Sequence, residues 1–290
     1  MKVIDNVAFC YDYDMLEIRL SILYDYVDKF VILECDHTYS NLYKGYNFEK
    51  NKDRYTKWMD KIEYIKVKGP GFSDPWQNEH WQWEQLRLGW SDVQPDDLVL
   101  LCRCVDEIPR PEAIELMKST DHTFFNLIFP AFFMKFNYID IKPEHSYGSG
   151  QHPHYFAWGR AFKGRHQDRN SLSPISTISP IHGDKSVNVH HAGWHFTYMG
   201  DENWIKNKIT NFSHSELNVP RVMDNINIDK HIANGEDCLN RDMKTFKPVN
   251  FDSYFPKYLL DNKEKYKQFI LPDPGVSVQD FHPRKILELE

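Results

Sequence analysis

Between Asp97 and Pro109 the chain reads Asp-Leu-Val-Leu-Leu-Cys-Arg-Cys-Val-Asp-Glu-Ile-Pro, an apolar run that meets the acidic pair Asp106-Glu107 and stops at Pro109. A buried strand ending in carboxylates delivers them to the open edge of a sheet. There a carboxylate can bind a divalent cation, and the cation can hold a diphosphate. That is Lewis-acid chemistry suited to expelling a nucleoside diphosphate. The same pattern also describes an acidic turn whose Glu107 is simply solvated, and the segment alone leaves both readings open.

Other metal-ligating patterns are weaker. His191 and His195 stand four apart, a spacing that suits zinc when both lie on a helix. The Val187-Asn-Val-His190 alternation reads as strand, which puts the two on one face but far apart. Five cysteines (Cys10, Cys35, Cys102, Cys104, Cys238) are odd in number and scattered. Cys102 and Cys104 form a C-x-C with no second pair at zinc-ribbon spacing, so all five read as reduced thiols.

The elements around the acidic segment define a fold class. Val7-Ala8-Phe9 is a short strand, and Leu16, Leu20, Leu23 and Val27 mark one face of a helix over Met15 to Tyr26. Phe30 to Leu33 is a continuous apolar run ending at Glu34, the signature of a buried parallel strand. Ile62 to Val67, closed by Gly69-Pro70-Gly71, is a second β unit, and Asp74 to Trp90 is helical in period. Strand, helix, strand, helix, strand predicts an α/β fold with an open, mostly parallel sheet. Ligands then bind beyond the carboxyl ends of the strands, at Glu34 to His37 and at Cys104 to Glu107. Further on, the pattern predicts a strand near Tyr155 to Phe162, loops over most of 143–185, and one or two strands in Val187 to Tyr198. Helices are predicted over Trp204 to Phe212, Ile226 to Asn234 and Tyr254 to Phe269. The expected organisation is one catalytic domain over 1–271, with a helical C-terminal extension and a tail over 272–290.

Composition narrows the partners. A net charge of −7 without a long Lys/Arg block disfavours nucleic acid. No window approaches the roughly 18 to 20 apolar residues of a membrane span. The start, Met-Lys-Val-Ile-Asp-Asn, lacks a signal-peptide core, so a cytoplasmic protein is expected. Aromatic residues make up 15% of the chain, including eight Trp. They serve large cores and also stack on sugar C–H faces, so the count alone does not choose.

The sequence resembles glycosyltransferase family 17, typified by enzymes that add a bisecting N-acetylglucosamine to N-glycans. The likeness is carried by Cys104-Val-Asp-Glu-Ile-Pro109, Asp14-Met-Leu-Glu-Ile-Arg-Leu20, Val27-Asp-Lys-Phe-Val-Ile-Leu-Glu-Cys35, Ala192-Gly-Trp-His195 and Pro256-Lys-Tyr-Leu-Leu260, in the family's order. The resemblance implies an A-type, Rossmann-like glycosyltransferase fold. It implies an inverting enzyme that moves a sugar, N-acetylglucosamine by default, from a UDP-sugar to a glycan or glycoprotein acceptor with the help of Mn²⁺ or Mg²⁺. UDP-glucose, UDP-galactose or UDP-xylose as donor, or a binding module without turnover, are the alternatives. This sequence departs from the family at Cys104, where the first Asp of the Asp-x-Asp stands, and at Trp83, where Arg is usual.

Site roles follow from the resemblance. Asp106 is the expected metal ligand, and His195 is the histidine that completes the metal site. Glu34, Cys104, Asp106, Trp194 and Lys208 are expected at the donor, with Lys208 near the diphosphate. Helix capping for Glu34, core packing for Trp194 and Trp76, and plain solvation for Lys208 are the competing roles. Arg19 is expected to tie the first helix to the sheet through an acidic partner. The base that deprotonates the acceptor is left open among Glu107, Asp201 and Glu216.

Overall fold

Apolar residues in β2 (Lys29–Cys35) are buried on both faces, as a central parallel strand requires. Before it come β1 (Val3–Phe9) and α1 (Tyr13–Leu23). After it come α2 (Asn47–Lys50), β3 (Ile62–Val67), α3 (Pro75–Glu84), β4 (Leu98–Cys104), β5 (Glu107–Pro109) and α4 (Pro111–Ser119). The second half contains β6 (Phe124–Phe133), β7 (Tyr138–Asp140), β8 (Tyr155–Lys163), β9 (Ser186–Val189), β10 (Gly193–Thr197) and α5 (Glu202–Asn211). It ends with α6 (Pro220–Met223), α7 (Ile228–Asn234), β11 (Phe246–Pro248), α8 (Lys257–Asp261) and α9 (Val278–Phe281). This computed structural model describes residues 1–141, 155–166, 186–239, 241 and 245–290. Most of the loop segment expected over 143–185 lies outside the described residues.

The strands form one sheet in the order β11-β7-β6-β8-β4-β1-β2-β3, with β9 and β10 also on β6 and β5 on β10. The four strands β4-β1-β2-β3 are mutually parallel, as the strand–helix alternation predicts. The expectation of a mostly parallel sheet is corrected beyond β4. There β8 runs antiparallel to both β4 and β6, and β7, β11 and β5 add further antiparallel pairs. The sheet is mixed because β8 lies between β4 and β6 in the reverse direction, and the short link from β6 to β7 turns the chain straight back. The fold is therefore mixed α/β.

Two apolar layers clamp the parallel half. On one face Leu16, Leu20 and Leu23 of α1 meet Phe30 and Ile32, with Phe48 and Tyr55 beside them. On the other, Val31 and Leu33 meet Trp83, Leu86 and Trp90, from α3 and the 3-10 turns after it. Truncating a buried leucine such as Leu16 to alanine costs about 2–5 kcal/mol in such a setting.

The C-terminal part is less helical than its periodicity suggests. Over Tyr254 to Phe269 only α8 and a short 3-10 turn form. The tail docks on the sheet: Leu289 bridges Val189, and Asn188 and Glu290 exchange backbone hydrogen bonds.

Candidate active site

The site begins with the way the segment after β4 is held. Arg19 of α1 is fully buried and makes a bidentate pair with Asp5 of β1, at 2.7 and 2.6 Å. Its third nitrogen donates to the carbonyls of Cys104 and Glu107, at 3.2 and 2.5 Å. The ion pair expected for Arg19 thus does more than anchor a helix: it fixes the turn that presents Asp106.

The distant half of the site is brought in by β10. It pairs antiparallel with β5, placing His195 opposite Glu107 and Gly193 opposite Pro109, and Phe196 N–H donates to Asp106 O at 2.8 Å. Gly193 permits this approach, since a Cβ there would lie 2.1 Å from the Ile108 carbonyl oxygen. Alternation along β10 then turns His195 toward the cavity and Trp194 away from it.

The two ends of α5 come from sequence. Asp201 caps the start, accepting from Trp204 N–H at 2.7 Å, a cap worth about 1 kcal/mol. The helix carries Lys208 inward, where its ammonium lies within 5.3 Å of the Tyr198 and Trp204 rings. Lys208 Nζ donates to Asp106 Oδ2 at 2.9 Å and stands 4.0 Å from Asp12 Oδ1. His195 Nε2 lies 3.9 Å from the same Asp106 oxygen.

These groups sit in the wall of a 620 Å³ cavity at the carboxyl edge of β1 and β4, within the size range of small-molecule sites. Its other walls include Tyr39, Trp76, Glu79, His80 and Trp83 on one side, and Phe133, Tyr198 and Arg241 on the other. Burial opposes ionisation of Asp106, yet Lys208 and His195 together hold its carboxyl below the usual range. Burial also lowers His195 to about 4, which leaves the imidazole neutral near pH 7. Lys208 is raised: burial works against its charge, but Asp106 and Asp12 outweigh it. The result is a buried, charged floor beneath aromatic walls.

Of the residues expected here, Asp106, Glu107, Cys104, His195 and Lys208 all line the cavity. Glu216 reaches its rim, bonded to His214 at 2.5 Å. Three others stand elsewhere. Trp194 is corrected to a core residue: it is 1% exposed, with Arg110 over its ring at 4.3 Å. The Glu34 carboxylate accepts from Asn47 and Phe48 N–H, Lys44 Nζ and the Tyr64 hydroxyl, so it caps α2 and does not reach the cavity. Asp201 borders a separate cavity. Sequence reasoning passes over Asp12, although it lies three residues beyond the end of β1, where an open parallel sheet places its ligand sites.

Asp106 Oδ2 and His195 Nε2 stand 3.9 Å apart, wider than the roughly 3 Å between neighbouring ligands of an octahedral cation, so sharing one would draw the two side chains together. No group of three or more His, Cys, Asp or Glu side chains forms a metal cage among the described residues. Two side-chain ligands suffice for a hard cation whose remaining positions are filled by water and substrate phosphates. The residues present fit a cation of that kind.

No curated protein matches the chain. The crystal structure of 4-diphosphocytidyl-2C-methyl-D-erythritol synthase from Anaerococcus prevotii is similar at 13% identity and a TM-score of 0.40, over 75% of this chain and 96% of that one. That likeness is too remote to carry over fold or chemistry. No described helix is long and apolar enough to cross a membrane. The sequence match that does identify a family covers residues 1–156, from β1 through the Asp106 turn and on past β6, and on it the chain belongs to glycosyltransferase family 17.

Proposed function

We propose that this protein is an inverting, metal-dependent transferase of the A-type fold that moves a sugar from a UDP-sugar to a glycan acceptor, forming a β-linkage. N-acetylglucosamine is the default sugar, because the enzymes that typify family 17 use it. The observation that carries the reading is the meeting of Asp106, His195 and Lys208 in one buried cavity at the strand ends. A carboxylate, a neutral imidazole and an ammonium form a set suited to a diphosphate.

Asp106 and His195 would hold Mn²⁺ or Mg²⁺, which when bound supplies Lewis-acid stabilisation of the departing diphosphate. Lys208 contributes a fixed positive charge where negative charge develops on the leaving oxygens, the electrostatic role that usually dominates such catalysis. The aromatic wall of Tyr39, Trp76 and Trp83 offers faces for a base or a sugar ring.

The test is UDP release from a panel of nucleotide sugars with Mn²⁺, Mg²⁺ or EDTA. Release from UDP-N-acetylglucosamine that EDTA abolishes supports the full reading. Release from UDP-glucose, UDP-galactose or UDP-xylose instead changes only the donor. Tight UDP binding by calorimetry with no release from any donor would make the chain a binding module and sink the proposal.

A further inference from the structure

A second cavity of 380 Å³ adjoins the first, on the α1 side. Its wall includes Tyr13, Arg54, Phe196, Trp204, Asn207 and Tyr266. Aromatic faces beside an amide and a guanidinium suit a carbohydrate, which presents C–H faces and hydroxyl edges together. Tyr11 and Asp12 line both cavities, and among the described residues Asp12 is the one carboxylate they share.

We propose that the second cavity receives the acceptor sugar and that Asp12, in the wall between the two, is the base that deprotonates the attacking hydroxyl. The proposal rests on the transferase reading above. In the reaction the acceptor O–H proton passes to the Asp12 carboxylate and the hydroxyl oxygen bonds to C1 of the donor sugar. The C1–O bond to the diphosphate breaks, and its electron pair leaves with UDP. Inversion requires base and leaving group on opposite sides of C1. Lys208 Nζ stands 4.0 Å from Asp12 Oδ1, so the carboxylate borders the group expected at the diphosphate on one side and the second cavity on the other.

The surroundings support the role. Burial pushes the Asp12 carboxyl up to about 6, with Lys208 opposing and Asp106 adding to the rise, so it is ionised at pH 7 and basic enough to take a proton. Its side chain caps no helix, although it sits at the N-cap position of α1, so replacing it spares the fold. Asp201 also borders the second cavity, but its carboxylate is committed to Trp204 N–H and it does not line the donor cavity.

The experiment measures UDP release with water as acceptor, using whichever nucleotide sugar the wild type turns over, for wild type and Asp12→Asn. We expect the variant to be at least a hundredfold slower with no loss of UDP affinity by calorimetry. Sodium azide, a nucleophile with no proton to lose, should restore UDP release and yield a glycosyl azide. A companion variant, Asn207→Trp, fills the second cavity. It should lower the ratio of transfer onto methyl glycosides to hydrolysis at least tenfold. An Asp12→Asn protein that hydrolyses donor within tenfold of wild type, or that binds UDP yet stays slow in azide, overturns the base assignment. An unchanged transfer ratio in Asn207→Trp moves the acceptor out of the second cavity. If the wild type releases UDP from no donor, the transferase reading falls first and the base falls with it.

Discussion

Lys208 and Asp106 are 102 positions apart in sequence, yet the lysine ammonium donates to Asp106 Oδ2 at 2.9 Å, the oxygen that also faces His195. A cation bound by Asp106 and His195 therefore competes with an ammonium already on that carboxylate. A donor diphosphate relieves the competition, because it gives Lys208 a new anionic partner. Metal and donor should accordingly bind with positive linkage. Titration of Mn²⁺ followed by electron paramagnetic resonance should show weak binding alone and at least tenfold tighter binding with UDP. Lys208→Met should bind Mn²⁺ at least tenfold more tightly than wild type in the absence of UDP, and bind UDP more weakly. Equal Mn²⁺ affinity in the two proteins would show that the lysine and the metal do not share Asp106.

Arg19 is the next target, because it couples stability to the site. Removing it strands the buried Asp5 carboxylate, and breaking such a pair costs about 3–5 kcal/mol. Arg19→Met should lose that much in urea denaturation. Replacing both partners, Arg19→Met with Asp5→Leu, should recover much of the stability, since a buried pair is often matched by apolar residues. UDP release should stay depressed in the double variant, because the Cys104 and Glu107 carbonyls still lack their donor. A double variant with full activity would limit Arg19 to a structural role.

The sequence patterns that came through are those whose physics is local. Apolar runs gave β2 and β4, the Gly-Pro-Gly stop after Val67 bounded β3, and the helical spacing of Leu16, Leu20 and Leu23 gave α1 and its buried face. The acidic strand end gave Asp106, and the resemblance singled out His195 and Lys208, which share its cavity. What stayed hidden depends on pairing across the chain. The antiparallel half of the sheet arises from which edge of β4 and β6 accepts β8, and no periodicity encodes that choice. Trp194 was weighed as both platform and core residue, and only the register of β10 against β5 separates it from His195. Glu34 looked like a ligand because its strand end faces the right way, but a short helix brings two N–H groups onto it first.

Stability should depend on pH through three groups, one buried and two largely shielded from water. His191 and His195 are both lowered to about 4, mainly by burial, so between pH 4 and 6.5 the unfolded chain binds their protons and the folded chain does not. Their contribution is present above that window and is lost as pH falls through it. Asp12, raised to about 6, acts oppositely: the folded state keeps its proton between pH 4 and 6, so its contribution declines as pH rises. Each proton is worth about 1.4 kcal/mol per pH unit. His195→Gln should therefore reduce the rise of unfolding free energy between pH 4.5 and 5.5 by about that slope, and Asp12→Asn should increase it by as much. Identical slopes in all three proteins would mean that neither group is perturbed as described.

Cys104 stands at the end of β4, in register with Ala8 of β1, and lines the 620 Å³ cavity where the family pattern carries aspartate. A thiol is a poor partner for hard Mg²⁺ and tolerates the softer Mn²⁺, so the wild type should favour manganese. Cys104→Asp would supply a further hard oxygen near Asp106. It should raise UDP release with Mg²⁺ relative to Mn²⁺ at least tenfold. The substitution also has a cost that can be read without turnover. A third carboxylate joins Asp12 and Asp106 in the wall of the same cavity, and like charges in a site shielded from water oppose one another's ionisation. In EDTA the variant should melt below wild type. Added Mg²⁺ should raise its melting temperature more than it raises that of wild type, because a ligand that binds only the folded state stabilises it. If the variant instead melts at the wild-type temperature in EDTA and shows no metal-dependent rise, the residue at 104 does not face the cation. Asp106 and His195 would then hold the cation without help from β4's last residue.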